Sequence, residues 1–254
     1  MSGRLVVAPH PDDEVLGCSS VLYRSAVTVV QVTDGVPPWT EARDREGLRR
    51  LREKESSDGW TALSTEVTRV RLGFEDLAVW RVVDRIVPSL VGAICSSSPD
   101  EVYLPAYQAG HPDHDATYLA GVLARKILGA EPGPIWWVYG LYGFDDSRHF
   151  QSGWLPPDLY GEIEVRGDGP EFLRRKGEAL GRYTSQIWPN SALDRWIQNP
   201  APERFAPVPA GWSRLPELPS FYDEELGFGR YGASAATVVE ALGPVFASGW
   251  EVTA

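Results

Sequence analysis

The chain is poor in the residues that usually announce a function. Its 254 residues include two cysteines, one methionine, four histidines and three lysines (Lys54, Lys126 and Lys176). Cys18 and Cys95 form no CxxC pair, so neither a thiolate zinc site nor a disulfide framework is indicated. No run approaches the ~20 apolar residues needed to cross a bilayer. Positive charge is also scarce: 24 basic against 35 acidic residues give a formal net charge of -11. That average field repels nucleic-acid backbones and anionic membranes, so neither is an expected partner. Met1-Ser2-Gly3-Arg4 runs straight into a strand-like segment without a signal-peptide layout, and a cytoplasmic protein is the expectation. What the chain does have is apolar content. Hydrophobic residues make up 43% and charged residues 23%, enough to bury a core, which excludes disordered and collagen-like classes.

The first part of the chain alternates strand and helix patterns. Short β-branched or aromatic runs occur at Leu5 to Ala8, Val27 to Thr33, Val67 to Leu72, Val102 to Leu104 and Ile135 to Leu141. Their continuous apolar character is that of strands buried on both faces. Between them the pattern predicts helices at Asp13 to Arg24, Glu41 to Leu63, about Leu77 to Cys95, and Pro112 to Leu128. The expected fold class is therefore α/β, a Rossmann-like, mostly parallel sheet with helices on both faces. After about residue 142 prolines cluster at Pro156-Pro157, Pro200, Pro202, Pro207, Pro209, Pro216 and Pro219. One helix, roughly Pro170 to Thr184, interrupts them. We expect a single domain over 1–254, with a core at about 1–145 and a loop-rich C-terminal cover at about 146–254.

Three of the four histidines fall in two short acidic motifs. Pro9-His10-Pro11-Asp12-Asp13-Glu14 follows the first expected strand, and Gly110-His111-Pro112-Asp113-His114-Asp115 follows the fourth. Ligands of open α/β sheets bind beyond the carboxyl ends of the strands, where both motifs lie. Helix capping accounts for one or two acids at the start of a helix. It does not account for His10 beside three consecutive carboxylates, which repel one another unless a cation neutralises them. His111 and His114, three apart, can face one way. Two histidines and a carboxylate with an open position make a catalytic zinc site, and the same set serves non-haem iron in oxygenases. Ligand chemistry alone leaves both metals open.

The pair of motifs resembles the PIG-L/LmbE-like zinc N-deacetylases, whose signature is a strand ending in H-P-D-D-E with a later H-P-D-H. Val32-Thr33-Asp34-Gly35, Arg52 with Glu55 and Leu63, Leu72-Gly73 with Asp76, and Tyr183, Ser185 and Gln186 look like further family elements. The resemblance spans roughly residues 4 to 186. It implies zinc held by His10, Asp13 and His114, Asp12 as general base, and His111, oriented by Asp113, at the oxyanion. It also implies that Arg52 and Asp76 contact a sugar, and Tyr142 is a further candidate for substrate contact. Two departures stand out. Ser19-Ser20 replaces a glycine pair often found in the family, and Ala109 stands where some members carry a tyrosine. The implied activity is removal of an N-acetyl group from a small amino sugar or a glycoside carrying one. Related N-acyl amidases, an Fe(II) oxygenase with an all-β jelly roll, and a sugar-binding protein without turnover are the alternatives. A homo-oligomer is compatible with this reading.

Other features have plainer expectations. The aromatic run Trp136 to Phe144 reads first as core, with Tyr142 at the end nearest the site. His149 with Asp145, Asp146 and Arg148 reads as a solvated loop. Arg174, Arg175 and Lys176 read as a solvated helix face, and the Arg49-Arg50-Arg52 cluster reads as mostly solvent-exposed too, although the resemblance gives Arg52 a place in the site. Glu14 reads as a first-turn helix residue, not a catalyst.

Overall fold

The computed structural model describes residues 3–129, 133–144, 149–209, 228, 232–233 and 235–247. The apolar runs form strands Arg4–Ala8 (β1), Ala26–Thr33 (β2), Glu66–Phe74 (β3), Glu101–Pro105 (β4) and Ile135–Tyr139 (β5), all parallel. Helices Asp13–Leu22 (α1), Ala42–Ala62 (α2), Val83–Ser97 (α3) and Pro112–Leu128 (α4) connect them. Next come a hairpin, Tyr142–Phe144 (β6) and Phe150–Ser152 (β7), the short helix Pro157–Tyr160 (α5) and strand Glu164–Arg166 (β8). Helices Pro170–Leu180 (α6) and Ala192–Gln198 (α7), strand Glu203–Pro207 (β9) and helix Ala235–Ala247 (α8) complete the described elements.

The main sheet has the order β3-β2-β1-β4-β5-β9-β8, with β9 antiparallel to β5 and to β8. Both faces are covered, as the alternation along β1 shows. Leu5 and Val7 join Ile86 and Leu90 of α3 and Leu119 and Leu123 of α4. Val6 and Ala8 point the other way, into a cluster with Val15 and Val21 of α1, Trp60 of α2 and Leu180 of α6. The predicted α/β class holds, and a parallel sheet replaces the all-β jelly roll that the oxygenase reading required. Among the described residues no helix is long and apolar enough to cross a membrane.

The chain leaves β1 towards β2 on one side and leaves β4 towards β5 on the other. This reversal of strand order opens a crevice at the carboxyl ends of β1 and β4. Both histidine motifs follow those two strands.

Four expectations need correction. The helix expected from about Leu77 starts at Val83, after a 3-10 turn at Val79–Arg81. The Asp113 carboxylate accepts the amides of Leu77 (2.6 Å) and Val79 (3.1 Å), and Leu77 takes a left-handed φ of 61° that no α-helix contains. The helix expected to reach Thr184 ends at Leu180, and Thr184–Gln186 forms a separate 3-10 turn. The C-terminal third, expected as loops and short strands around one helix, extends the main sheet through β9 and β8 and carries two further helices, α7 and α8. The stretch with Asp145, Asp146 and Arg148, and prolines Pro216 and Pro219, lie outside the described residues, while His149 is exposed.

The fourth correction concerns Lys176. Arg174 and Arg175 pair with Glu171 on an exposed helix face, but Lys176 is buried. Its Nζ donates to Leu16 O (2.6 Å) and Glu203 Oε1 (2.8 Å). The same Glu203 carboxylate accepts from Ser19 N (2.7 Å), Ser20 N (2.8 Å) and Ser20 Oγ (2.5 Å). These amides are available because α1 is kinked at Cys18 (φ -130°, ψ 20°). The Ser19-Ser20 departure thus has a physical role, binding α1 to β9 and α6 through one fully satisfied buried carboxylate.

Removing one partner of a buried ion pair strands the other charge, at a cost of about 3–5 kcal/mol. Glu203→Ala is expected to lower the unfolding free energy by that amount in urea titrations, whereas Arg174→Ala leaves the midpoint unchanged. An unshifted midpoint for Glu203→Ala would contradict this account of the network.

Candidate active site

The first motif enters α1 with Asp12 at the N-cap position, yet its side chain caps nothing. Asp13 instead turns its carboxylate back, and Oδ2 accepts the His10 amide at 2.9 Å. The same Oδ2 lies 3.0 Å from His10 Nδ1 and 3.3 Å from His114 Nε2, and those two ring nitrogens are 3.3 Å apart. These three atoms form a nearly equilateral triangle. Tetrahedral zinc ligands at bonds of ~2.0–2.1 Å sit about 3.4 Å from one another, so the triangle fits a zinc-sized ion and leaves the fourth position open. A ring nitrogen of His111 also comes within 4.8 Å of those of His10 and His114.

His10 presents its other nitrogen to carboxylates. Nε2 lies 3.3 Å from Asp113 Oδ2 and 3.4 Å from Asp76 Oδ1. A carboxylate on the far nitrogen of a ligating imidazole fixes its tautomer and aims the near lone pair, here Nδ1, at the ion. Burial alone would lower the His10 pKa, but Asp76, Asp113 and Asp13 together raise it well above its ordinary value. Burial would raise Asp13, yet His114 and His10 hold it far below the carboxylate range.

Asp113 therefore orients His10 and the 77–79 turn, and its carboxylate is not bonded to the His111 ring. The link to His111 is through the backbone: Asp113 N donates to His111 Nδ1 at 3.1 Å. With Nδ1 accepting, the proton of the neutral ring belongs on Nε2, an assignment made from the hydrogen-bond network. Burial lowers the His111 pKa well below its usual value, and His114 and His10 lower it further. A ring that accepts at Nδ1 can donate through Nε2.

Asp12 is buried against Arg52, whose Nη2 lies 3.3 Å from Oδ2. Burial pushes the Asp12 pKa up to about 6, against the opposing charge of Arg52 and with a further upward push from Asp13. Glu14 faces away from the triangle, its Oε1 accepting from Trp60 Nε1 (2.9 Å) and Tyr183 Oη (3.3 Å). Glu55, of the R-x-x-E element, accepts from Thr184 Oγ1, Ser185 N and Ser185 Oγ at 2.6–2.8 Å. The two weaker sequence echoes thus bind one another and set Gln186 on the cavity wall.

A cavity of about 590 Å³ opens over these groups. His10, Asp12, Asp13, Arg52, Asp76, His111 and Tyr142 all line it. Tyr142 packs edge-on to the His114 ring, with centroids 5.2 Å apart. Tyr107, two residues before Ala109, lies in the core, its amide donating to Tyr160 Oη. Sequence reasoning missed the outer wall: Trp39, Phe150, Trp188, Arg195 and Phe228. Phe228 stands edge-on to His111 at 4.6 Å. These residues carry no local motif, and only the fold assembles them.

A family model described as GlcNAc-PI de-N-acetylase, PIG-L, matches residues 5–125. Over that segment, just under half of the chain, the protein is similar to the PIG-L family. The PIG-L segment holds every sequence-predicted site residue except Tyr142. No curated protein matches the chain by sequence. Among solved structures, a zinc-inhibited form of teicoplanin deacetylase Orf2 is similar, with TM-score 0.59 and 20% identity over 81% of this chain and 97% of that one. N,N'-diacetylchitobiose deacetylase from Pyrococcus horikoshii is similar at TM-score 0.55 and 19% identity, over 78% and 74% of the two chains. GalB, a 4-carboxy-2-hydroxymuconate hydratase from Pseudomonas putida KT2440, also matches, at TM-score 0.54 and 16% identity over 86% and 99%. At such identities these structures establish the shared fold.

Zinc titration of metal-free protein is expected to show one tight site. His114→Ala and Asp13→Ala lose it, and Asp113→Asn weakens it about 10–100-fold by releasing His10. Tight binding retained by His114→Ala would refute the ligand set.

Proposed function

We propose that the protein is a zinc-dependent hydrolase that removes an N-acetyl group from a small amino sugar or a glycoside carrying one. The observation that carries this reading is the ligand triangle of His10, Asp13 and His114 with a second, non-ligating carboxylate, Asp12, one residue away. The PIG-L match and the sugar-directed deacetylases among the structural neighbours support it. The hydratase neighbour shows why the fold alone would not.

Amide hydrolysis needs an activated water, a donor for the oxygen that gains charge, and a proton for the departing amine. Zinc on the triangle would supply Lewis acidity and a water acidic near neutral pH. The other steps belong to the chain's own groups. Asp12 takes a proton from the attacking water as its oxygen bonds to the carbonyl carbon. The His111 Nε2–H donates to the carbonyl oxygen as that oxygen becomes negative. When the C–N bond breaks, Asp12 returns its proton to the amine nitrogen, leaving acetate and a free amino sugar. Asp76 and Tyr142, on the cavity wall, are placed to border the sugar. At about 590 Å³ the cavity falls within the ~300–1,000 Å³ of ordinary small-molecule sites.

The test is release of acetate from a panel of N-acetylated amino sugars and their glycosides. Activity is expected to vanish with a chelator and return with zinc. Asp12→Ala is expected to keep its metal and lose about 10²–10⁴-fold in kcat. Full activity in Asp12→Ala would overturn the assignment of the base. Turnover of other N-acyl groups with none of N-acetyl would favour a related amidase.

A further inference from the structure

His111 sits on a loop that must be held from outside itself. The loop, residues 106–111, runs from the end of β4 to the start of α4. Its first residues are fixed: Ala106 N donates to Tyr139 O (2.9 Å) and Tyr107 N to Tyr160 Oη (2.7 Å). Among the described residues the backbone of Ala109 and Gly110 makes no hydrogen bond. Gln108 is therefore the last fixed point before His111. It is 2% exposed. Its amide donates to Asp115 Oδ1 (3.0 Å), its Oε1 accepts from Leu141 N (3.0 Å), and its Nε2 donates to Trp154 O. One residue thus joins the first turn of α4, the residue before Tyr142 and the segment after β7.

The two residues after Gln108 show what that grip opposes. Ala109 has a φ of 52°, in the left-handed region that a Cβ disfavours. A Cβ on Gly110 would lie 2.6 Å from Tyr142 O, so the loop passes directly against that backbone. Strained conformations at a site persist only where the surroundings over-determine them. Here Gln108 supplies the constraint on one side of the strained residue and the Tyr142 backbone on the other.

We propose that Gln108 is a positioning residue for His111: its carboxamide, bonded to Leu141 N and Trp154 O, holds Ala109 left-handed and Gly110 against Tyr142, and so places the ring that donates to the carbonyl oxygen. This rests on the deacetylase reading above. Gln108 is not among the residues that line the cavity, so its effect passes through the backbone to His111. A donor displaced by about 1 Å from the developing oxyanion loses on the order of 10²-fold in rate. Leucine has a similar size to glutamine but neither donates nor accepts, and would leave Leu141 N and Trp154 O without their partner.

Gln108→Leu would be compared with wild type on the N-acetylglucosamine glycoside that the enzyme turns over fastest. The expected result is a kcat lower by about 10–100-fold with KM within about threefold, at unchanged zinc stoichiometry. The same substitution in a His111→Ala background is expected to cost less than about twofold further, because the group it places is already gone. A residue that merely supports the fold would cost the same factor in both backgrounds. Gln108→Glu, which keeps an acceptor for Leu141 N, makes the same comparison should Gln108→Leu not fold. An unchanged kcat, a tenfold rise in KM, or equal losses in the two backgrounds would overturn the proposal. Should the wild type release acetate from no substrate, the deacetylase reading fails on its own terms. The role of Gln108 is then decided by crystal structures of zinc-loaded wild type and Gln108→Leu. A His111 ring displaced by over ~1 Å, with His10, Asp13 and His114 in place, supports it, and an unmoved ring refutes it.

Discussion

Burying Asp12, Asp13 and Asp113 around His10, with Asp76 half-buried beside them, is the constraint on which the rest of the site depends. Carboxylates are hardly ever buried without a charged partner or a metal, because desolvation costs more than ordinary packing returns. Every neighbouring feature answers that cost. His10 faces three of the four carboxylates, Arg52 faces the fourth, and the amides of Leu77 and Val79 satisfy Asp113. The backbone bends to meet the need, with a left-handed Leu77 and a helix that starts six residues later than its apolar pattern predicts.

The two long-range decisions that make the site possible are the parallel pairing of β1 with β4 and the reversal of strand order between them. The parallel sheet and the place of both motifs at strand ends were legible in the sequence, because strands buried on both faces read as continuous apolar runs that the motifs follow directly; the strand order was not. The clustering of His10, Asp13 and His114 was legible through their two motifs. The division of labour among the acids was not. Asp113 is two residues from His111 in the chain, and that closeness suggested an Asp-His pair; in the folded protein the carboxylate turns to His10, 103 residues away, and only its amide reaches His111.

Lys176 and the outer cavity wall escaped for a related reason. A lysine between arginines and glutamates on a charged helix looks solvated, and nothing nearby in sequence reveals that Glu203 lies opposite. The Ser19-Ser20 pair looked like a mere departure until the same carboxylate was found on its amides. Trp39, Trp188 and Phe228 come from three separate loops and turns without a shared pattern. Local pattern reports which face of an element is buried, but not which partner arrives from a distant segment.

The placement of β9 bears on how such a chain can be divided. The PIG-L match ends at residue 125, before β5 begins, while the sheet continues through β5, β9 and β8. A chain cut after β5 would leave that strand with a row of unpaired amide and carbonyl groups along Trp137 to Tyr139, where β9 now pairs. Bare edges of this kind recruit other strands and promote aggregation. The C-terminal strands thus cover an open sheet edge of the half that carries the two histidine motifs, and any attempt to graft those motifs onto a smaller scaffold would have to replace that edge protection first.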